Sequence, residues 1–161
     1  MIIRAAKDSD LPELLRVYAY ARAFMAQTGN PTQWGTDYPA SELLREDLRA
    51  GRSYVGVDEN GHVCCTFVLL LGEEPNYRVL EGGTWLNDAP YGTIHRLAGD
   101  GSVHGCFNAC IAFCRAHCAG LRADTHADNR IMQRLLEHAG FQRCGIIHVE
   151  DGSARIAYQL P

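Results

Sequence analysis

The sequence lacks an apolar run long enough to span a bilayer. Its longest, Cys64 to Leu71, has a Thr inside it and is of strand length, where a span needs about 20 residues. It also lacks a secretory leader core: the opening MIIRAAKDSD has a short apolar stretch followed at once by charges. A basic surplus is missing too, since 15 Lys+Arg face 19 Asp+Glu for a net charge of −4. That balance argues against a nucleic-acid partner, and the hydropathy argues against a membrane. No internal repeat, linker or low-complexity stretch interrupts the chain. What is present is ordinary for one globular domain over 1–161: 47% hydrophobic residues, 21% charged, 16 Gly and 6 Pro. The unusual feature is seven Cys, an odd number, beside seven His. A disulfide scaffold has an even count in a shorter chain, so free thiols in a reducing, cytoplasmic compartment are expected.

Periodicity predicts a mixed α/β order, β-α-α-β-β-β-α-β-α-β-β. Ile2 to Ala6 reads as a strand. Asp8 to Asp10 offer N-caps to a helix with apolar residues from Leu11 to Met25, which Gly29-Asn30-Pro31 ends. Residues 31–40 form a loop, and Ser41 caps a helix that stops at Gly51. Ser53–Val57 and His62–Leu71 pair as a hairpin across Asn60-Gly61. After the connection 72–90 come a strand Tyr91–Ala98, a loop from Gly99, a helix Val103–Ala119 and a strand Leu121–Thr125. Asp128 or Asn129 caps a helix Arg130–Ala139, and the strands Phe141–Val149 and Arg155–Leu160 close the chain. Strand–helix–strand over 91–125 implies one parallel pair with a right-handed crossover; the hairpins imply antiparallel neighbours. The expected fold is a mixed, mostly antiparallel sheet with helices on both faces.

Two segments could carry chemistry. The loop AGDGSVHG feeds a helix N-terminus, where unpaired N–H groups and the helix dipole favour an anion. Gly99, Gly101 and Gly105 let the backbone come close to a ligand, or serve only as turn residues; no Gly-Lys-Ser/Thr follows, so it is not a P-loop. In the second, Asp124, His126, Asp128 and Asn129 gather where a strand gives way to a helix, as ligand-binding residues do in open α/β sheets. N-capping by Asp128 or Asn129, with Asp124 and His126 as solvated loop residues, is the plainer reading. The thiols read as packing. Cys106, Cys110, Cys114 and Cys118 recur every four residues on one helix and span about 18 Å, so they cannot share one ion, and no metal is expected. Cys64 and Cys65, adjacent in a strand, should point to opposite faces. Cys106, near a helix N-terminus that would lower its pKa, keeps a claim as a nucleophile.

The chain resembles the GNAT family of N-acetyltransferases. Ile3-Arg4-Ala5-Ala6 followed by Asp8-x-Asp10-Leu11 is similar to the family's opening. IHRLA before a glycine loop is similar to its fourth strand and pyrophosphate loop. Asp128-Asn129-x-x-Met132-x-x-Leu135-Leu136-Glu137-x-x-Gly140-Phe141 resembles its Asn-x-x-Ala-x-x-Leu-Tyr-x-x-x-Gly-Phe signature. The resemblance implies a GNAT-like acyl-CoA N-acyltransferase fold and transfer of acetyl from acetyl-CoA, as cosubstrate, to a primary amine of a small molecule or peptide by direct attack. It places pantetheine along His95, Leu97 and Gly99, pyrophosphate on the amides of Val103, His104, Gly105, Cys106, Phe107 and Asn108, and Asn129 on the pantetheine arm. A main-chain N–H near Leu97 or Ala98 would stabilise the oxyanion. Many such domains dimerise, so the resemblance allows a homodimer.

The chain departs from that pattern in its loop and in its acid. Fitted by Gly105, the family's Gln/Arg-x-x-Gly-x-Gly/Ala falls on Ser102 to Phe107, and Phe107 would crowd the phosphates unless it turns to the core. The Tyr that often protonates the leaving thiolate falls on Leu136. Replacement acids or bases must lie nearby: His95 and His126 foremost, since histidine serves both proton transfers near neutral pH, with Glu73, Glu74 and Tyr91 behind them. Trp34, Tyr38 and Trp85 with Asp124 are the acceptor-site candidates, by cation–π contact and charge, with Tyr77 a further loop aromatic; a satellite core is the plainer role for the aromatics. The rival function is a non-catalytic module that binds CoA or another ligand on the same fold. A hydrolase or O-acyltransferase would need only a different acceptor.

Overall fold

The apolar run at 64–71 becomes the centre of a seven-stranded sheet. In the computed structural model, which describes residues 1–161, the elements are β1 (Ile2–Ala5), α1 (Leu11–Gln27), α2 (Ser41–Arg49), β2 (Ser53–Val57), β3 (Val63–Leu71), β4 (Tyr91–Gly99), α3 (Cys106–His117), β5 (Gly120–Thr125), α4 (Arg130–His138), β6 (Gln142–His148) and β7 (Ala154–Leu160). The strand order is β1-β2-β3-β4-β5-β7-β6. Only β4 and β5 run parallel; the other neighbours are antiparallel. No helix is long and apolar enough to cross a membrane.

The sheet separates two cores, which explains why β3 is buried on both faces from Val63 to Leu69. On one side Leu14, Val17 and Tyr18 of α1 and Leu44 of α2 pack on Val55, Val63 and Ala98. On the other, Cys110, Ile111 and Cys114 of α3 and Leu136 of α4 pack on Phe67, Leu69, Ile94, Leu121 and Tyr158. The α3 thiols are thus small packing residues, as their spacing predicts.

The element order matches the sequence reading, and the differences lie at helix starts. Asp10 does not cap α1. Its carboxylate takes two bonds from Arg4, at 2.7 and 2.9 Å, and one from the Lys7 amide, while residues 8–10 form a 3₁₀ turn. Ser41 is the first residue of α2, not its cap. Of the two cap candidates before α4, Asn129 serves: its side chain accepts from the Met132 amide at 3.1 Å. Helix α3 begins at Cys106, three residues later than the apolar pattern suggests, because the chain is still turning at Gly105, with φ of 85°.

One irregularity positions the site. Opposite Phe67 of β3, strand β4 carries two residues, Arg96 and Leu97, where a regular ladder has one. Arg96 sits at φ of 51°. For a long side chain that conformation costs roughly 1–3 kcal/mol. Its neighbours hold it there. The Arg96 carbonyl accepts from Tyr18 Oη at 2.9 Å. Its guanidinium donates to Asp47 at 2.6 Å and to Tyr38 Oη at 3.4 Å. Asp47 is fully buried and also takes Arg52 at 2.7 Å. A bulge bends its strand and ends regular pairing beside it. Beyond Thr93↔Arg122, β4 and β5 no longer pair, although both continue, and a cleft opens between them. Asp47→Ala removes both ion pairs at once and leaves Arg96, whose side chain is 11% exposed, without a counter-charge. It should lower unfolding stability by about 3 kcal/mol, read by urea titration. A loss under about 1 kcal/mol would mean that the bulge stands without this pair.

Candidate active site

The cleft between the splayed strands has a volume of about 1100 Å³. One wall is β4 from Ile94 to Gly99, the other is β5 from Ala123 to Thr125, and Val103 to Phe107 lie across one end.

That end is an anion-binding loop by construction. The amides of Val103, His104, Gly105, Cys106, Phe107 and Asn108 find no acceptor within the protein, and the first helical bond runs from Ala109 to Gly105. Unpaired N–H groups at the positive end of a helix are a site for phosphate oxygens. Asp100 folds the loop. Its buried carboxylate accepts from the Ser102 amide and hydroxyl, from Arg16 at 2.8 Å, and bonds His62 Nε2 at 2.8 Å. Burial alone would raise its pKa; these donors outweigh that and hold it well below the carboxylate range. Gly101 is favoured by its backbone, whose φ is 76°. Phe107 is half-buried: it packs against the main core and also lines the cleft.

The β4 wall carries a charge pair. His95 Nε2 lies 2.8 Å from Glu74 Oε2, and Glu74 Oε1 accepts from the Asn76 amide at 3.1 Å. Glu74 is 8% exposed. Burial pushes its carboxyl up, but the bond and charge of His95 and the Asn76 N–H outweigh burial and leave it below its ordinary value. A second pair stands beside it: Tyr77 Oη donates to Asp124 Oδ2 at 2.7 Å. Burial raises the Asp124 pKa, against the opposing pull of His95, Tyr77 and Arg155. His95, Glu74 and Asp124 all face the cleft, whereas Tyr77 is buried behind it. Glu74 ranked only as a lesser candidate in the sequence; nothing in a 19-residue connection tells which carboxylate folds back on β4.

Most of the predicted site residues converge. Leu97, Ala98, Val103, His104, Gly105, Cys106, Phe107, Asn129, Trp34, Tyr38, His95 and Asp124 line the cleft. Three do not. His126 lies outside the lining, and its Nδ1 accepts from the Asp128 amide at 3.0 Å. Asn108 is on the exposed side of α3. Trp85 belongs to the satellite core: its ring lies tilted against Tyr77, donates to the Tyr77 carbonyl, and carries the Arg122 guanidinium 3.9 Å from its centre. Trp34 packs edge-on against Tyr18 with its other side toward the cleft. Asn129 is doubly engaged, as the α4 cap and as donor to Gln33 Oε1 at 3.1 Å. Gln33, which the sequence did not single out, also receives Asn30 and Thr125 and so ties the 31–40 loop to the far strand. Leu136 is buried core, so no acid stands there.

The thiols bring two corrections. Cys106 is not activated: its bond to Cys65 and its burial raise the pKa far above the ordinary thiol value. Cys64 and Cys65 do not point apart. Gly56 pairs with Cys65 but Val57 with Val63, so Cys64 is the extra residue of a bulge, and both sulfurs turn toward Cys106.

No family model matches the sequence, and no curated protein matches it. Solved structures do. A GNAT-family acetyltransferase from Streptococcus agalactiae is 29% identical, with a TM-score of 0.88 over 98% of this chain and 93% of that one. A phosphinothricin acetyltransferase from Sinorhizobium meliloti, solved with AcCoA, is 14% identical with a TM-score of 0.66, over 99% of this chain and 87% of that one. A ribosomal-protein-alanine N-acetyltransferase from Brucella melitensis is 21% identical with a TM-score of 0.61, over 99% of both chains.

The Asp100 network has a measurable signature. A carboxylate depressed in the folded state stabilises above its unfolded pKa of about 4 and loses that contribution as pH falls toward its folded pKa. Below pH 4, Asp100→Asn should therefore lose stability less steeply than the parent chain in urea titrations. Parallel slopes would deny the network its role. Over its whole length, then, this chain resembles the GNAT acetyltransferases and has their fold.

Proposed function

We propose that this protein transfers an acetyl group from acetyl-CoA to a primary amine of a small molecule or peptide. The observation that carries the reading is that unpaired amides at the start of α3 and the His95–Glu74 pair face one cleft, opened where β4 leaves β5. The amides from Val103 to Phe107, without acceptors in the protein and lining the cleft, would hold the pyrophosphate. The arm of the cosubstrate would then run along Leu97 and Ala98, past Asn129, with its thioester at the bulge. There a main-chain N–H of Leu97 or Ala98 would meet the oxyanion.

The base is His95. An amine of pKa near 10 arrives as ammonium and must lose a proton before it attacks. With Nε2–H donated to Glu74, Nδ1 is left with its lone pair free to take that proton. Glu74 then fixes the tautomer and stabilises the imidazolium, as a buried carboxylate does for histidine elsewhere. Asp124, half-buried beside His95, would attract the incoming ammonium. Trp34 and Tyr38 would offer ring faces to it. The amine nitrogen forms its bond to the acetyl carbon, the carbonyl becoming the oxyanion; as that intermediate collapses the C–S bond breaks and the nitrogen gives its second proton to solvent. The thiolate leaves with the electron pair and takes up a proton from the imidazolium or from water. His126, outside the cleft, has no part in this scheme. The protein is expected to work in the cytoplasm, needs no nucleic acid or membrane, and a homodimer is compatible with the scheme.

The test is a two-step assay. Acetyl-CoA should raise the melting temperature, and CoA release should follow on some member of a panel of amines, polyamines, amino acids and peptides. His95→Ala should cut turnover about a hundredfold or more while the thermal shift with acetyl-CoA persists. An unchanged rate would remove His95 as the base. A shift without turnover on any amine would favour the non-catalytic binding module.

A further inference from the structure

Four sulfur atoms meet beneath the anion loop, at the edge of the main core, and the proposed reaction does not use them. Cys64, Cys65 and Cys106 place their Sγ atoms within 4.8 Å of one another. Met1 Sδ lies 3.4 Å from Cys64 Sγ, 3.9 Å from Cys65 Sγ and 3.8 Å from Cys106 Sγ. Three features of the fold produce the convergence. The bulge at Cys64 turns two consecutive side chains the same way. The late start of α3 places Cys106 over them. Gly56 leaves the space in which they meet, since a Cβ there would stand 2.4 Å from Cys65 Sγ and 2.9 Å from Met1 Sδ.

We propose that Cys64, Cys65, Cys106 and Met1 form a binding site for a soft monovalent cation of the Cu(I) type. Four sulfurs held about 2.3 Å from one central ion stand about 3.8 Å apart. The three Met1 distances already scatter around that value, and the thiols need close in by no more than about 1 Å. The donor set selects the ion. Thiolate and thioether sulfur together favour Cu(I); Zn(II) is held by thiolate, imidazole and carboxylate, and neither of the last two stands within this group. Each thiol that binds gives its proton to solvent as its sulfur takes the ion. Access is available from one side: Cys64 and Cys65 are fully buried, but Cys106 is half-buried and Met1 is 40% exposed. The inference is independent of the acetyl-transfer reading. The site is nevertheless joined to the loop, since the Cys64 carbonyl accepts from the Asp100 amide at 3.0 Å and Cys106 opens α3.

The experiment is an anaerobic titration of the fully reduced protein with Cu(I), in competition with a chromophoric Cu(I) chelator, followed by X-ray absorption at the copper edge. One Cu(I) per chain in an all-sulfur shell is expected. Cys106→Ser, at a half-buried helix start where the fold should tolerate it, should lose at least tenfold in affinity. Cys64→Ser should do the same, and circular dichroism checks that both variants are folded. Cys118→Ser, just past the C-terminal end of α3 and away from the group, should bind as the parent does. The proposal is overturned by failure to compete for Cu(I), by unchanged affinity in a folded Cys106→Ser, by an equal loss in Cys118→Ser, or by preferential retention of Zn(II) when both ions are offered.

Discussion

The bulge at Arg96–Leu97 is the constraint on which the cleft depends. A regular β4 would pair with β5 along its full length and leave no opening. Instead β4 carries one extra residue, and its pairing with β5 ends at Thr93. The strain is local, and the restraint comes from three other elements: Tyr18 on α1, Tyr38 on the following loop and Asp47 on α2. The helices of that face therefore do more than cover the sheet. They hold open a fault in it.

A second restraint acts at the end of the same strand. Asp100 gathers Arg16, His62 and Ser102 around one buried carboxylate, and the chain after it turns with its amides outward. The two restraints share α1, since Tyr18 serves the bulge and Arg16 serves the loop. The cleft and its anion end are thereby fixed to one helix. On the β4 wall itself, Glu74 reaches His95 from the 72–90 connection, so the proposed base is set by a third, separate segment.

Much of this was legible in the sequence. Alternation, turn residues and helical spacing gave the element order, and the Asn129-to-Phe141 stretch marked the strand–helix junction by its cap. Local patterns failed where tertiary geometry decides. Cys64 and Cys65 obey the two-residue period in sequence, but a bulge cancels it in space. Asp10 is a good cap residue by type, yet Arg4 claims its carboxylate. Val103 to Gly105 fit the apolar rhythm of α3 but are spent in turning the chain. Trp85 and Tyr38 are both loop aromatics; only the fold separates the one in the satellite core from the one on the cleft. Glu74 and Gln33 carry no motif, and their partners lie 21 and 96 residues away.

The central claim is that the cleft opened by the bulge receives a CoA ester with its pyrophosphate on the α3 amides. Amide ¹H–¹⁵N spectra of the labelled protein test this directly, with CoA and then pantetheine, which lacks the pyrophosphate, added in turn. The account predicts that CoA shifts the amides from Val103 to Asn108 together with Leu97 and Ala98, and that pantetheine leaves the 103–108 group unmoved. Binding of CoA without any shift in that loop would contradict it.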